Sequence, residues 1–161
     1  MTEYQLLIEK FFSCMRERDY RGMAQCYHPD VRFSDPLFPE LQGREVAALW
    51  HMLCFQMRDL EINVKFVKSP ERKVYCRWEA FYTPPGSTRR VHHVVDSEFE
   101  FREGRIYRHR DRFDFKLWSK QALGWLGTWL GWASLTQSVV QNRSVSKLKD
   151  FIRKHPSYME G

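Results

Sequence analysis

Val91-His-His-Val-Val-Asp-Ser-Glu-Phe-Glu-Phe-Arg-Glu-Gly-Arg-Ile-Tyr-Arg-His-Arg-Asp-Arg-Phe-Asp-Phe115 decides the fold class. Its two halves, Val91 to Arg102 and Arg105 to Phe115, read as long strands, and Glu103-Gly104 turns one into the other. Strands joined so closely form an antiparallel hairpin. Upstream the twofold period continues. Ile62, Val64 and Phe66 alternate, and Val74, Cys76, Trp78 and Ala80 share a face opposite Tyr75, Arg77, Glu79 and Phe81. Pro84-Pro85-Gly86 is a turn.

Before residue 58 the period is helical. Leu7, Ile8, Phe11, Phe12 and Met15 make one stripe and predict a helix over 4–18. Asp19 caps a second helix, Tyr20 to Tyr27, which His28-Pro29-Asp30 ends because proline cannot continue it. Val31, Phe33 and Asp35 share a face of a short strand, and Pro36 and Pro39 bracket a loop. Gly43 precedes a third helix, 44–57, with Val46, Ala47, Trp50, Leu53, Cys54 and Met57 inward. Helices followed by strands predict an α+β fold, three N-terminal helices packed on one face of an antiparallel sheet. A final helix, 145–154, carries Val145, Leu148, Phe151 and Ile152 on one side. The expected organisation is one domain over 1–116 and a helical extension, 117–161, packing on it.

The composition, with 12 Phe, 7 Tyr and 6 Trp in 161 residues, excludes a disordered chain. Of the net charge of +6, +5 sits at the C-terminal end, where seven basic residues from Lys116 onward meet only Asp150 and Glu160. Arg105, Arg108, Arg110 and Arg112 are interleaved with acidic residues, which reads as a charge-paired strand face and not as a nucleic-acid site. Cys14, Cys26, Cys54 and Cys76 form no C-x-x-C pair. His92 and His93 are adjacent and point to opposite faces of their strand, so no metal is expected. Met1-Thr2-Glu3-Tyr4 lacks the start of a secretory signal, and the expected location is cytoplasmic. No charge falls between Gln121 and Asn142, a stretch that includes Leu123-Gly-Trp-Leu-Gly-Thr-Trp-Leu-Gly-Trp132. Residues 122–135 read as a lid, a dimer interface or a membrane-surface contact. Their apolar part, about 14 residues, is short of the ~20 needed to span a bilayer.

Two motifs carry a family resemblance: Tyr27-His-Pro-Asp-Val-Arg-Phe-Ser-Asp-Pro36 followed by Gly43 and a helix, and Gly104-Arg-Ile running to Arg110-Asp-Arg-Phe-Asp114. Over about residues 4 to 116 the chain resembles the nuclear transport factor 2-like superfamily. It is most similar to the SnoaL-like and ketosteroid-isomerase-like branch, with limonene epoxide hydrolases as relatives. The resemblance implies a cone-shaped α+β barrel, in which a curved sheet wraps around helices and encloses an apolar cavity. It also implies a homodimer through the outer sheet face, and chemistry done by carboxylates with no cofactor.

The same resemblance names residues. Asp35 stands in the Asp-Pro motif of the isomerase general base. Asp96, in Val94-Val95-Asp96-Ser97-Glu98-Phe99, matches the second, protonated carboxyl one residue out of register with the Phe. The tyrosine that donates to the oxyanion aligns with Phe11, which has no donor, and Tyr27 and His51 are polar groups that could replace it. Asp111, in His109-Arg-Asp-Arg-Phe-Asp114, resembles the aspartate run of the epoxide hydrolases. Strand parity puts Tyr107, His109, Asp111 and Phe113 on one face.

The residues also allow plainer readings. Asp35 before a proline can be a turn former, and Asp96 can face solvent. The candidate catalytic set is Asp35, Asp96, His51 and Asp111; the candidate substrate contacts are Phe11, Tyr27, Phe33, Trp50, Phe55, Trp78 and His109. The expected function is binding of a small hydrophobic molecule with acid–base catalysis of isomerase, cyclase or epoxide hydrolase type. The alternatives are a non-catalytic ligand-binding or dimeric interaction protein, and a membrane-peripheral protein acting through residues 122–135.

Overall fold

The computed structural model describes residues 1–123 and 134–160. Thr2 starts helix α1 (Glu3–Arg16): its hydroxyl accepts the Gln5 amide at 3.2 Å, and the Thr2 amide donates to Gln5 Oε1 at 2.9 Å. Ile8, Phe11, Phe12 and Met15 form its buried stripe. Asp19 caps α2 (Tyr20–Gln25), its Oδ1 accepting the Gly22 amide at 2.9 Å. At Gly22 a Cβ would stand 2.6 Å from Cys14 Sγ and closer still to Asp19 Oδ2. Gly22→Ala is therefore expected to cost ~1–2 kcal/mol by disturbing the cap and the α1–α2 contact. A urea midpoint that does not fall would contradict that packing.

The strands are β1 (Tyr27–Ser34), β2 (Leu41–Gln42), β3 (Glu61–Val67), β4 (Lys73–Tyr82), β5 (Val91–Arg102) and β6 (Arg105–Arg112). They form one sheet in the order β2-β1-β6-β5-β4-β3. The β5–β6 hairpin pairs Arg102 with Arg105, and its turn holds Glu103 at φ 51° and Gly104 at φ 72°. That left-handed geometry favours glycine.

The sheet is not that of the expected cone-shaped antiparallel barrel. The sheet is mixed, because β1 runs parallel to β6 with Phe33 opposite His109. It is also open and not strongly curled, with β2 and β3 as separate edges. Closure would need β2 to pair with β3, and a two-residue strand offers too few backbone groups. The helix expected to run to Tyr27 ends at Gln25, and Tyr27 to Asp30 are strand. Pro29 is tolerated there because the β1–β6 register shifts between Tyr27 and Arg32.

Helix α3 (Arg44–Gln56) follows β2. Two helices follow β6: α4 (Phe115–Leu123) and α5 (Ser134–Lys154), the latter starting well before residue 145, and a 3-10 turn spans Pro156–Tyr158. Val145, Leu148, Phe151 and Ile152 of α5 pack on the core. Gln141 Nε2 donates to the Pro36 carbonyl at 2.8 Å and ties α5 to the loop after β1. The readings placed on segment 122–135, with Trp125, Trp129 and Trp132, fall almost entirely at residues 124–133, outside the described residues. No described helix is long and apolar enough to cross a membrane.

Strand alternation sorts the sheet into two faces. Cys76, Trp78, Ala80, Val95, Ser97, Phe99, Ile106, His109 and Asp111 are buried on the inner one. The outer one carries ion pairs: Arg77 with Asp96 at 2.7 Å, and Lys73 with Glu98 at 2.7 Å and Glu100 at 2.9 Å.

Candidate functional site

The loop after β1 brings Asp35 to the inner face of the sheet. Asp35 Oδ1 accepts the backbone amides of Leu37 at 2.7 Å and Phe38 at 2.6 Å, and its own amide donates to the Phe38 carbonyl at 2.9 Å. This is the turn-forming aspartate of the plainer reading. The same residue lines a cavity of about 170 Å³. Trp50 and Leu53 of α3, Trp78, Ala80 and Tyr82 of β4, Val95 of β5, and Leu37 and Phe38 make much of the apolar wall, and Asp35, Asp111, His93 and Gln56 bring the polar groups. Among the described lining residues there is no Lys or Arg.

Burial pushes the Asp35 carboxyl up to about 7, against the pull of the Phe38 and Leu37 amides and with the help of the neighbouring Asp111 charge. No described residue bonds its Oδ2. Asp111 is 6% exposed and is fixed from behind the wall. Its Oδ1 accepts from Ser97 Oγ and from His109 Nε2, the latter at 2.8 Å. Ser97 Oγ accepts Trp78 Nε1 at 2.8 Å. On the other side Trp50 Nε1 donates to Tyr27 Oη at 2.8 Å, and Tyr27 Oη bonds His109 Nδ1 at 2.8 Å. Indole N–H groups only donate and an ionised carboxylate only accepts, so His109 donates its Nε2–H to Asp111, and with a neutral ring Nδ1 accepts the Tyr27 proton. Every bond in this chain then has one donor and one acceptor. His109, 1% exposed, is packed against Phe11, Phe33, Trp50 and Phe99, with its ring centre 4.3 Å from that of Phe99.

The sequence-derived candidates thus separate. Asp35, Asp111, Trp50 and Trp78 line the cavity. Tyr27, Phe11 and Phe33 lie behind it in the core, and His109 is buried among them. Asp96, His51 and Phe55 stand elsewhere. Asp96 points to the outer face, its side chain 55% exposed and held by Arg77 through two bonds at 2.7 and 2.8 Å, which keep its carboxyl below the usual range. His51 bonds Tyr158 Oη at 2.9 Å and stacks on Tyr20 at 3.7 Å. Phe55 is 68% exposed. Asp96→Ala is expected to leave ligand binding unchanged and the melting temperature within about 3 °C, as exposed ion pairs do. Lost binding in that variant would put Asp96 back in the site.

Four residues of the site went unread as such in the sequence. Ser97 occupies the inward position next to Asp96, and it is the residue two before Phe99. Strict counting from that Phe reaches it, and a slip of one residue changes the face. Tyr82 and Trp118 meet at the cavity wall, Trp118 Nε1 donating to Tyr82 Oη at 2.9 Å. The sign of α4 was Asp114, which accepts the Leu117 amide at 3.1 Å as an N-terminal cap does. His93, the fourth, is the inward member of the His92-His93 pair. Among the described residues, no group of three or more His, Cys, Asp or Glu is placed to hold a metal ion.

Residues 8–109 match the SnoaL-like domain family. No curated protein matches the chain in sequence. Solved structures share its fold. An LEH-like epoxide hydrolase from M. tuberculosis is similar with a TM-score of 0.61 and 21% identity over 80% of this chain and 96% of that one. TsrD from Streptomyces laurentii gives 0.64 and 24%, over 76% and 95%. A hypothetical protein with a ketosteroid isomerase-like fold from Catenulispora acidiphila gives 0.64 and 10%, over 72% and 91%.

Proposed function

We propose that this chain, which belongs to the SnoaL-like family of the nuclear transport factor 2-like superfamily, binds a small hydrophobic molecule in its apolar cavity and moves a proton on it. One observation carries the reading: Asp35, with a carboxyl pushed up to about 7, and Asp111 stand on the wall of the same apolar cavity. A carboxyl that titrates near neutrality can take a proton and return it within one turnover. The step is removal of a C–H hydrogen beside a carbonyl by Asp35 and its return to another carbon, as in isomerase- or cyclase-type chemistry. Asp111 favours the protonated form of Asp35 through its charge and so strengthens it as a base. His109 and Ser97 keep Asp111 in place. With no Lys or Arg among the described lining residues, charge on a substrate oxygen would meet neutral donors.

The test is hydrogen–deuterium exchange. Cyclic apolar ketones incubated with the protein in D2O are expected to exchange hydrogens beside the carbonyl, read by mass spectrometry. Asp35→Asn is expected to slow this by about a hundredfold or more. Exchange undiminished in Asp35→Asn overturns the assignment.

A second reading, non-catalytic binding, has one observation in its favour. Phe11, aligned with the oxyanion tyrosine of the isomerases, is wholly buried against Tyr27, Trp50 and Phe99 and offers no hydroxyl. Ligand binding by the wild type without any exchange would select it.

A further inference from the structure

We propose that His93 orients the ligand: its Nε2 bonds the one hydroxyl or carbonyl oxygen of a flat, ring-containing substrate, and the cavity selects oxygenated ring compounds over hydrocarbons of the same shape. The proposal rests on the cavity being the substrate site.

His93 Nε2 is buried and has no hydrogen-bond partner, the one such side-chain atom among the described residues. Buried polar atoms are paired in the great majority of cases, and a lone exception on a cavity wall calls for a ligand. The ring is surrounded by aromatic side chains. It meets Phe113 edge-on at 4.4 Å and 86°, with Tyr82 at 6.2 Å, Trp78 at 6.3 Å and Trp118 at 6.4 Å around it. These rings also make flat walls suited to a planar molecule.

Several polar atoms nearby already have partners. Asp35 Oδ1 holds the turn, Asp111 Oδ1 holds His109 and Ser97, and Tyr82 Oη holds the Trp118 indole. A neutral nitrogen is thus available beside two carboxyl groups. Burial, against the opposing pull of Asp111, keeps the imidazole neutral by lowering it to about 4. A neutral imidazole donates or accepts at Nε2 according to its tautomer, so it serves a carbonyl or a hydroxyl. With Asp35 on the same cavity, the oxygen held by His93 would be the one conjugated to the carbon that loses its proton.

Calorimetry of the full chain with 2-naphthol and 2-methylnaphthalene tests this, because the two probes differ only in hydroxyl against methyl. Wild type is expected to bind 2-naphthol about tenfold more tightly. His93→Phe should lose that preference while still binding 2-methylnaphthalene, and His93→Gln should keep part of it. The ¹⁵N resonance of His93 Nε2 should move with 2-naphthol and stay with 2-methylnaphthalene. If His93→Phe does not fold, the Gln variant and this resonance decide. Equal affinities in wild type, no binding of either probe, or a preference that survives in His93→Phe overturns the proposal. A preference that survives there and disappears in Asp35→Asn removes His93 as the anchor and leaves the proton-transfer reading standing, since that reading is tested by exchange.

Discussion

Asp35→Asn is expected to make the protein more stable at pH 8 while it loses proton transfer. In the unfolded chain this carboxyl ionises near 3.8; in the folded chain burial and Asp111 hold it at about 7. Between those two pH values the native state keeps a proton that the unfolded state has lost. Stability contributed by the protonated form is full below pH 4, declines as pH rises toward 7, and is gone above it. The full shift corresponds to ~4 kcal/mol, and partial exposure of the group brings the expected effect to ~2 kcal/mol. Asparagine keeps an oxygen for the Leu37 and Phe38 amides and carries no charge at any pH. The variant should therefore melt roughly 5 °C above wild type at pH 8 and together with it near pH 4. A variant less stable than wild type at pH 8 would mean that the ionised carboxylate is held favourably and cannot be a neutral-pH base. Gain of stability with loss of activity is the mark of a strained functional group.

The second large effect falls on the buried chain behind the cavity. His109→Leu leaves Asp111 without its imidazole donor and Tyr27 without its acceptor, all three side chains being buried. Stranding buried polar groups in this way costs ~3 kcal/mol, and the melting temperature should drop by roughly 6–12 °C. Removing both partners of the His109–Asp111 bond isolates the cause. Asp111→Leu combined with His109→Leu should cost less than the sum of the two single changes, because neither polar group is then left unpaired. Strict additivity would contradict the hydrogen-bonded chain.

The parts of the fold legible in the sequence are those set by local pattern. The Glu103-Gly104 turn and its flanking alternation specify the β5–β6 hairpin, and the stripe of α1 specifies its buried face; the stripe of α3 catches Val46, Trp50 and Cys54 but not Ala48, Leu49 and Met52, which are buried as well because the helix is covered on more than one side. What could not be read is non-local. Nothing in Tyr27 to Ser34 says that its neighbour is a strand over seventy residues away and parallel, and without that pairing an open mixed sheet cannot be told from a closed one. The Asp-Pro motif points to Asp35 and strand parity to Asp111, and both line the cavity. Asp96 stands on the outer face through parity alone, since one step along a strand exchanges the inner face for the outer. Phe55 lies five residues after Trp50, about 140° around α3 from it, and so leaves the buried face. His51 was placed by Tyr158, more than a hundred residues later, which no helical pattern reveals. His93 is hidden by its pair: two adjacent histidines on opposite faces argue against metal, and only the fold shows that one of them meets a cavity.

All of this turns on the state of one carboxyl. A ¹³C NMR titration of the Asp35 carboxyl, identified by its absence in Asp35→Asn, measures it directly. A midpoint near 7 is the result the proton-transfer account predicts. A midpoint at or below the ordinary aspartate value would contradict it, because the group would then be a charged turn former, stabilised by the Leu37 and Phe38 amides and too weak a base for the step.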